Sequence, residues 1–193
     1  MVTLFGWGLA TIILFVVILV LVGIVGYTIS VFNSLVRLKN NIKKSWANIE
    51  VLLKQRSDEL PKLINSVKGY MKHEAKTLTE LTKARTAFLN AKTMEKKAAA
   101  DSMISGALKT IFAVAESYPN LKANENFMNL QNRISGIEND LADRREFYND
   151  SVNTYNIKIQ SFPDLIIARI LKYTEEQMFK IAEADKQDIK VEF

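Results

Sequence analysis

LVGIVGYTISVFNSLVRLKNNIKKSWANIEVLLKQR, residues 21–56, changes character in its middle. To the left of Asn33 it is apolar with no charge. To the right, apolar residues recur at threes and fours among lysines, arginines and amides, the spacing of one packed face of a helix. Leftward, the uncharged region extends to Met1, and Leu4 to Val25 is almost purely Leu, Ile, Val, Phe and Gly. About 22 residues at about 1.5 Å each cover the hydrocarbon core of a bilayer, so this segment is expected to be a transmembrane helix. A cleaved signal peptide would need a basic start and a small-x-small cleavage site. The chain begins Met1-Val2-Thr3-Leu4, so the segment is expected to remain as an anchor.

The charge lies just after the apolar run. Arg37, Lys39, Lys43, Lys44, Lys54 and Arg56 face only Glu50, which gives this stretch the whole net charge of +5. Basic residues on one flank of a first transmembrane segment keep that flank in the cytoplasm. The expected topology is therefore N-terminus outside and main domain cytoplasmic, in a single-pass protein of the cell membrane. Arg37, Lys39, Lys43 and Lys44 are the expected contacts to the lipid headgroups of the bilayer. The rest of the chain is charge-balanced and has no basic stripe with interleaved aromatics, which argues against nucleic acid as a partner.

Working rightward, Leu35, Leu38, Ile42, Trp46, Ile49, Leu53, Leu60, Ile64, Val67 and Met71 form the seam of a long helix. Pro61, just after Ser57-Asp58, predicts a kink or a restart, with a turn near Gly69 to Glu74. A second helix is expected from about Glu74 to Ser117, with Leu78, Leu81, Phe88, Leu108, Ile111 and Phe112 inward. Tyr118-Pro119-Asn120 breaks it. The third starts after Asn124 as a cap and carries Phe127, Leu130, Ile134, Ile137, Leu141, Tyr148, Val152, Tyr155, Ile159 and Phe162. The fourth runs from about Pro163 to Ala184 with Leu165, Ile166, Ile170, Leu171, Tyr173 and Phe179 inward. The expected fold is all-α: an anchor segment over residues 1–32, an antiparallel four-helix bundle with long helices over 33–185, and a tail over 186–193.

The motifs Phe32-Asn33-Ser34-Leu35-Val36-Arg37-Leu38-Lys39-Asn40, Trp46-Ala47-Asn48-Ile49-Glu50 and Tyr118-Pro119-Asn120-Leu121-Lys122-Ala123-Asn124-Glu125-Asn126-Phe127 resemble those of the LemA family. So do Arg144-Arg145, Phe147-Tyr148-Asn149, Tyr155-Asn156 and Phe162-Pro163. The resemblance covers essentially the whole chain. It implies a single-pass membrane protein with a cytoplasmic helical bundle and no assigned enzymatic activity. It also implies relatives in magnetosome-membrane formation, and links to membrane zinc metalloproteases and TPM-domain proteins. One departure is Glu59, where the family usually has an aliphatic residue.

Catalytic patterns are absent from the sequence. There is no cysteine, and the one histidine, His73, supplies neither a zinc site nor a Ser-His pair. No phosphate-binding glycine loop is present. Acidic neighbours such as Glu138 and Asp140, or Glu175 and Glu176, read as solvated helix faces. No cofactor and no enzymatic activity are expected. Arg56 and Arg144 interrupt the first and third apolar stripes. Each either finds a carboxylate such as Glu138 or Asp140, or lies at the rim with its stem buried. Asn149, Asn153 and Asn156 share one face of the third helix, as a row of amides able to bond across to a neighbour. At the C-terminus Ile189, Val191 and Phe193 alternate with Lys190 and Glu192, a strand-like pattern suited to docking on a partner's sheet edge or to remaining unstructured. The function expected from all this is a membrane-anchored scaffold or adaptor, assembling as a homo-oligomer or with other membrane proteins. A lipid-organising protein is the alternative.

Overall fold

The computed structural model describes residues 2–71 and 74–179. They form six helices in the order α1 (Val2–Val67), α2 (Ala75–Asn90), α3 (Met94–Ala115), α4 (Pro119–Lys122), α5 (Glu125–Gln160) and α6 (Asp164–Ile170). No strand occurs among the described residues. The all-α class read from the sequence holds, and α1 passes the expected boundary at residue 32 without a break.

Helix α1 also runs through Pro61, where the sequence predicted a kink or restart. Proline has no N–H to give to the carbonyl four residues earlier, which is that of Ser57. Arg85 of α2 fills the vacancy: its Nε donates to Ser57 O at 3.1 Å. A donor from another helix thus replaces the missing one.

The expected second helix is two helices. The chain leaves α2 at Asn90, and Ala91 is extended with ψ 121. It restarts at Thr93, whose side chain accepts from Lys96 N to cap α3. The connection is three residues long, so α2 and α3 form an antiparallel hairpin.

Contacts divide the chain into two compact units. One is built on Lys44–Asp150, joined by Met178 and Phe179. Here α1, α2, α3 and α5 make the four-helix arrangement, with α4 a short connector. Side-chain pairs fix the directions. Residues 50 and 56 of α1 meet 97 and 101 of α3, so these helices run parallel. Residues 46 and 56 meet 148 and 138 of α5, which runs against them. Ile49, Leu53, Leu60, Leu81, Leu108, Ile111, Ile134 and Leu141 form its core. Leu63 joins them, in a register neighbouring the expected Ile64.

The other unit is α1 up to Lys43 with Ser151–Gln177. Every residue from Thr11 to Ser30 is exposed. Val31, Leu35 and Ile42 of α1 are buried in this unit, as are Val152, Tyr155 and Ile159 of α5. The Phe162–Pro163 peptide is cis. The fourth expected helix, Pro163 to Ala184, is cut to seven residues, and no helix follows from Leu171 to Phe179. The stop is a left-handed cap. Lys172 adopts φ 57, its N–H bonds Arg169 O, and Tyr173 N–H bonds Ala168 O. This is the Schellman pattern with lysine in the position usually held by glycine. Phe162, Ile166, Ile170 and Leu171, expected inward, are exposed, whereas Ala168 is buried.

Candidate functional site

Charge lies at the centre of the Lys44–Asp150 unit. Arg56 is 1% exposed on α1. Its Nη1 meets Asp101 Oδ1 at 2.8 Å, and its Nη2 reaches both Ser105 Oγ at 3.0 Å and Glu138 Oε2 at 3.1 Å. Arg145 Nη2 closes the set by donating to the other oxygen of Asp101. Ser105 in turn donates to Glu138 at 3.2 Å. Two cations and two anions from three helices therefore neutralise one another. A buried guanidinium needs this much, because uncompensated burial of either sign is expensive.

The sequence offered Glu138 or Asp140 as the arginine's partner. Glu138 is used, Asp140 is exposed, and Asp101 was not anticipated. Of the two arginines flagged, Arg56 is interior, but Arg144 is exposed and its neighbour Arg145 points inward instead. Glu59 is buried and held by Lys62 at 3.1 Å and Arg133 at 2.6 Å, so an acid is accommodated here. The Nε atoms of Arg56 and Arg145 and the hydroxyl of Ser57 are buried without a partner.

A second constellation in this unit holds the chain beyond α6. Phe179 sits beside Trp46, with ring centroids 6.2 Å apart, and under the Arg145 guanidinium, 4.9 Å from the ring centre. Asn149 grips its main chain from both sides: Nδ2 donates to Phe179 O at 3.2 Å and Oδ1 accepts Phe179 N–H at 2.7 Å. Asn156, in the other unit, does the same to Glu176 at 2.9 and 3.0 Å. Two members of the expected amide row are thus engaged with the chain's own backbone, and Asn153 is exposed.

In the unit of α1 and α6, Lys39 pairs with Glu176 at 3.2 Å and lies over the Tyr173 ring. That bond raises the lysine pKa. Arg37 and Lys43 are exposed, as is Lys44 in the neighbouring unit. Asp164, at the start of α6, accepts from the Tyr27 hydroxyl and pairs with Lys158 at 2.9 Å. The Tyr27 hydrogen bond, with Lys158 adding to it against a smaller effect of burial, holds the Asp164 carboxyl below its usual range.

The exposed apolar run of α1 is long enough to cross a membrane, with a mean hydropathy of 3.0. Helix α3 passes the same length test but is partly buried and carries Asp101. Among the described residues no three His, Cys, Asp or Glu side chains converge as metal ligands. His73, Ile189, Val191 and Phe193 lie outside the described residues, and with them the proposed tail dock.

Protein LemA of Metamycoplasma hominis is 30% identical over 162 residues, 81% of this chain and 72% of that protein. Magnetosome protein MamQ 2 of Paramagnetospirillum magneticum is 31% identical over 81 residues, which is 42% of this chain but only 30% of that protein. Magnetosome protein MamQ of Magnetospirillum gryphiswaldense is 28% identical over 80 residues. The LemA family model matches residues 45–193, which contain every member of the Asp101 cluster and the Phe179 clamp, and the chain belongs to the LemA family.

Proposed function

We propose that this protein is a non-enzymatic scaffold anchored in the cell membrane by α1, with its N-terminus outside and its bundle in the cytoplasm. The observation that carries this reading is the way the chain spends its ionisable groups. Arg56, Asp101, Glu138 and Arg145 satisfy one another inside the bundle, while the lipid-length run from Thr11 to Ser30 is fully exposed. A charge-neutralised interior is suited to holding a shape, and an exposed apolar helix to holding it at a membrane. The basic residues after the run support the orientation. The partners are further copies of the chain or other membrane proteins, a membrane protease or a TPM-domain protein among them. The Gly23 and Gly26 surfaces of α1 are open for close helix approach.

Crosslinking in native membranes, followed by mass measurement of the captured species and by native mass spectrometry in nanodiscs, tests the proposal. The expected result is a discrete oligomer or hetero-complex. A monomer at every concentration with no captured protein overturns it. For orientation, a cysteine placed near Met1 is expected to react with impermeant reagents in intact cells, and one at Glu146 is not.

The likeness to the magnetosome proteins favours a second reading, in which the bundle organises lipid. Vesicle shape change on adding the reconstituted protein separates it from pure scaffolding.

A further inference from the structure

The geometry points to a second membrane contact: the tip formed by Phe162 and α6 lies in the headgroup–acyl boundary of the same bilayer that α1 crosses. The proposal rests on reading Thr11–Ser30 as the bilayer anchor.

Three observations within one unit carry it. First, the tip shows its apolar side chains outward: Phe162 is 79% exposed, Ile166 51% and Ile170 73%. Ile166 and Ile170 are one helical turn apart, and the opposite side of the helix, at Ala168, is buried. In water alone this arrangement is unfavourable, because every such side chain gains by leaving solvent. Second, the tip is tied to the end of the apolar run of α1. The Tyr27 hydroxyl donates to Asp164, the first residue of α6. Tyr27 is three residues from the last of the fully exposed run, at the depth where tyrosine rings favour the membrane interface. The start of α6 is thus held beside the end of the exposed run of α1. Third, the ionic groups fit a membrane surface. The acid of α6, Asp164, is consumed by Tyr27 and Lys158, while Arg169 and Lys172 are exposed and free to meet anionic headgroups. The left-handed cap at Lys172 ends the helix after two turns, so a short wedge enters the interface rather than a span.

The natural absence of cysteine makes the test direct. Single-cysteine variants Ile166→Cys, Ile170→Cys, Ile18→Cys and Lys43→Cys of the full chain are labelled with an environment-sensitive fluorophore. They are reconstituted in phosphatidylcholine–phosphatidylglycerol vesicles with and without acyl-brominated lipid. The expected result is strong quenching at Ile18, clear quenching at Ile166 and Ile170 by lipids brominated near the headgroup, and none at Lys43. Introducing Phe162→Ser and Ile170→Ser is expected to abolish quenching in the Ile166→Cys protein and to leave it intact in the Ile18→Cys protein. Quenching at Ile18 with none at Ile166 and Ile170 overturns the proposal and leaves the anchor standing. Loss of quenching at Ile18 as well overturns both. A blue-shifted Ile166 label that bromolipid does not quench and that turns aqueous on dilution in lipid assigns the face to a second copy of the chain, which also overturns it.

Discussion

In the unit built on Lys44–Asp150, an arginine and an aspartate are hidden, and its exposed apolar side chains, Val51, Leu89, Met103 and Phe147 among them, are scattered over α1, α2, α3 and α5. At the α6 tip of the other unit, Phe162, Ile166 and Ile170 face outward side by side and Asp164 is tied down at the base of the helix. The same helix, α1, takes part in both. On the proposed membrane reading, what differs is the solvent each unit is built for. A bundle in water is free to place charge inside if the charges cancel, and gains a defined register among its helices by doing so. A tip beside lipid has no need to hide its apolar side chains.

The buried cluster is the place to break the first unit. Replacing Asp101 with Ala leaves Arg56 and Arg145 facing each other with only half-exposed Glu138 to compensate. It is expected to lower stability by about 3–5 kcal/mol in urea unfolding of the full chain in mild detergent. Adding Arg56→Met to that variant is expected to recover part of the loss, since one uncompensated charge goes with it. Asn149→Ala comes next. It strips both main-chain bonds from Phe179 and is expected to cost about 2 kcal/mol, whereas Asn153→Ala, at an exposed position, is expected to fall within about 0.5 kcal/mol of the parent. Arg85→Met is expected to cost about 1 kcal/mol by leaving Ser57 O without its donor, with faster hydrogen exchange around Pro61 as the local readout.

The tip sharpens the contrast with smaller effects. Lys172→Gly relieves a left-handed conformation at the cap and is expected to stabilise α6 by up to about 1 kcal/mol, seen as slower exchange of the Tyr173 amide. The last effect is a pH dependence. Because Asp164 has a lower pKa folded than unfolded, its contribution is fully present above the ordinary carboxylate pKa and is lost as pH falls through the lowered folded value. The protection factors of the α6 amides, corrected for the intrinsic exchange rate at each pH, are expected to fall on acidification in the parent, and Asp164→Asn is expected to flatten that acid-side dependence.

Much of this was legible in the sequence, and what was not has a common cause. The α1 stripe of Leu35, Ile42, Ile49, Leu53, Leu60 and Val67 is buried as its period requires, and Asn124 caps α5, its Oδ1 accepting from Phe127 N. These are local signals. The restart offered at Pro61 does not occur, and the donor that compensates the proline, Arg85, sits on another helix. Asp101 was passed over because nothing near Ala98-Ala99-Ala100 marks a buried acid, and its arginine partner is 45 residues away. The break at Ala91–Thr93 contains neither glycine nor proline, so Thr93 as a cap was the one available sign. The fourth helix was overestimated for two reasons. Its stop uses lysine where glycine usually signals an end, and its apolar pattern was assigned to a protein core although Ile166 and Ile170 turn outward. Period alone says which residues share a face, not which medium that face meets.

Asn149 and Asn156 hold Phe179 and Glu176 by main-chain N–H and C=O alone, which makes the grip indifferent to the alphabet of side chains between them. Glu175 and Met178 are exposed, so they are free to drift in evolution without loosening the attachment. Proline at 176 or 179 is the exception, since it deletes the N–H that each amide reads. A proline scan across residues 175–179 is therefore expected to register most strongly at those two sites, whereas alanine at 176 removes the Lys39 ion pair and leaves the main-chain grip in place.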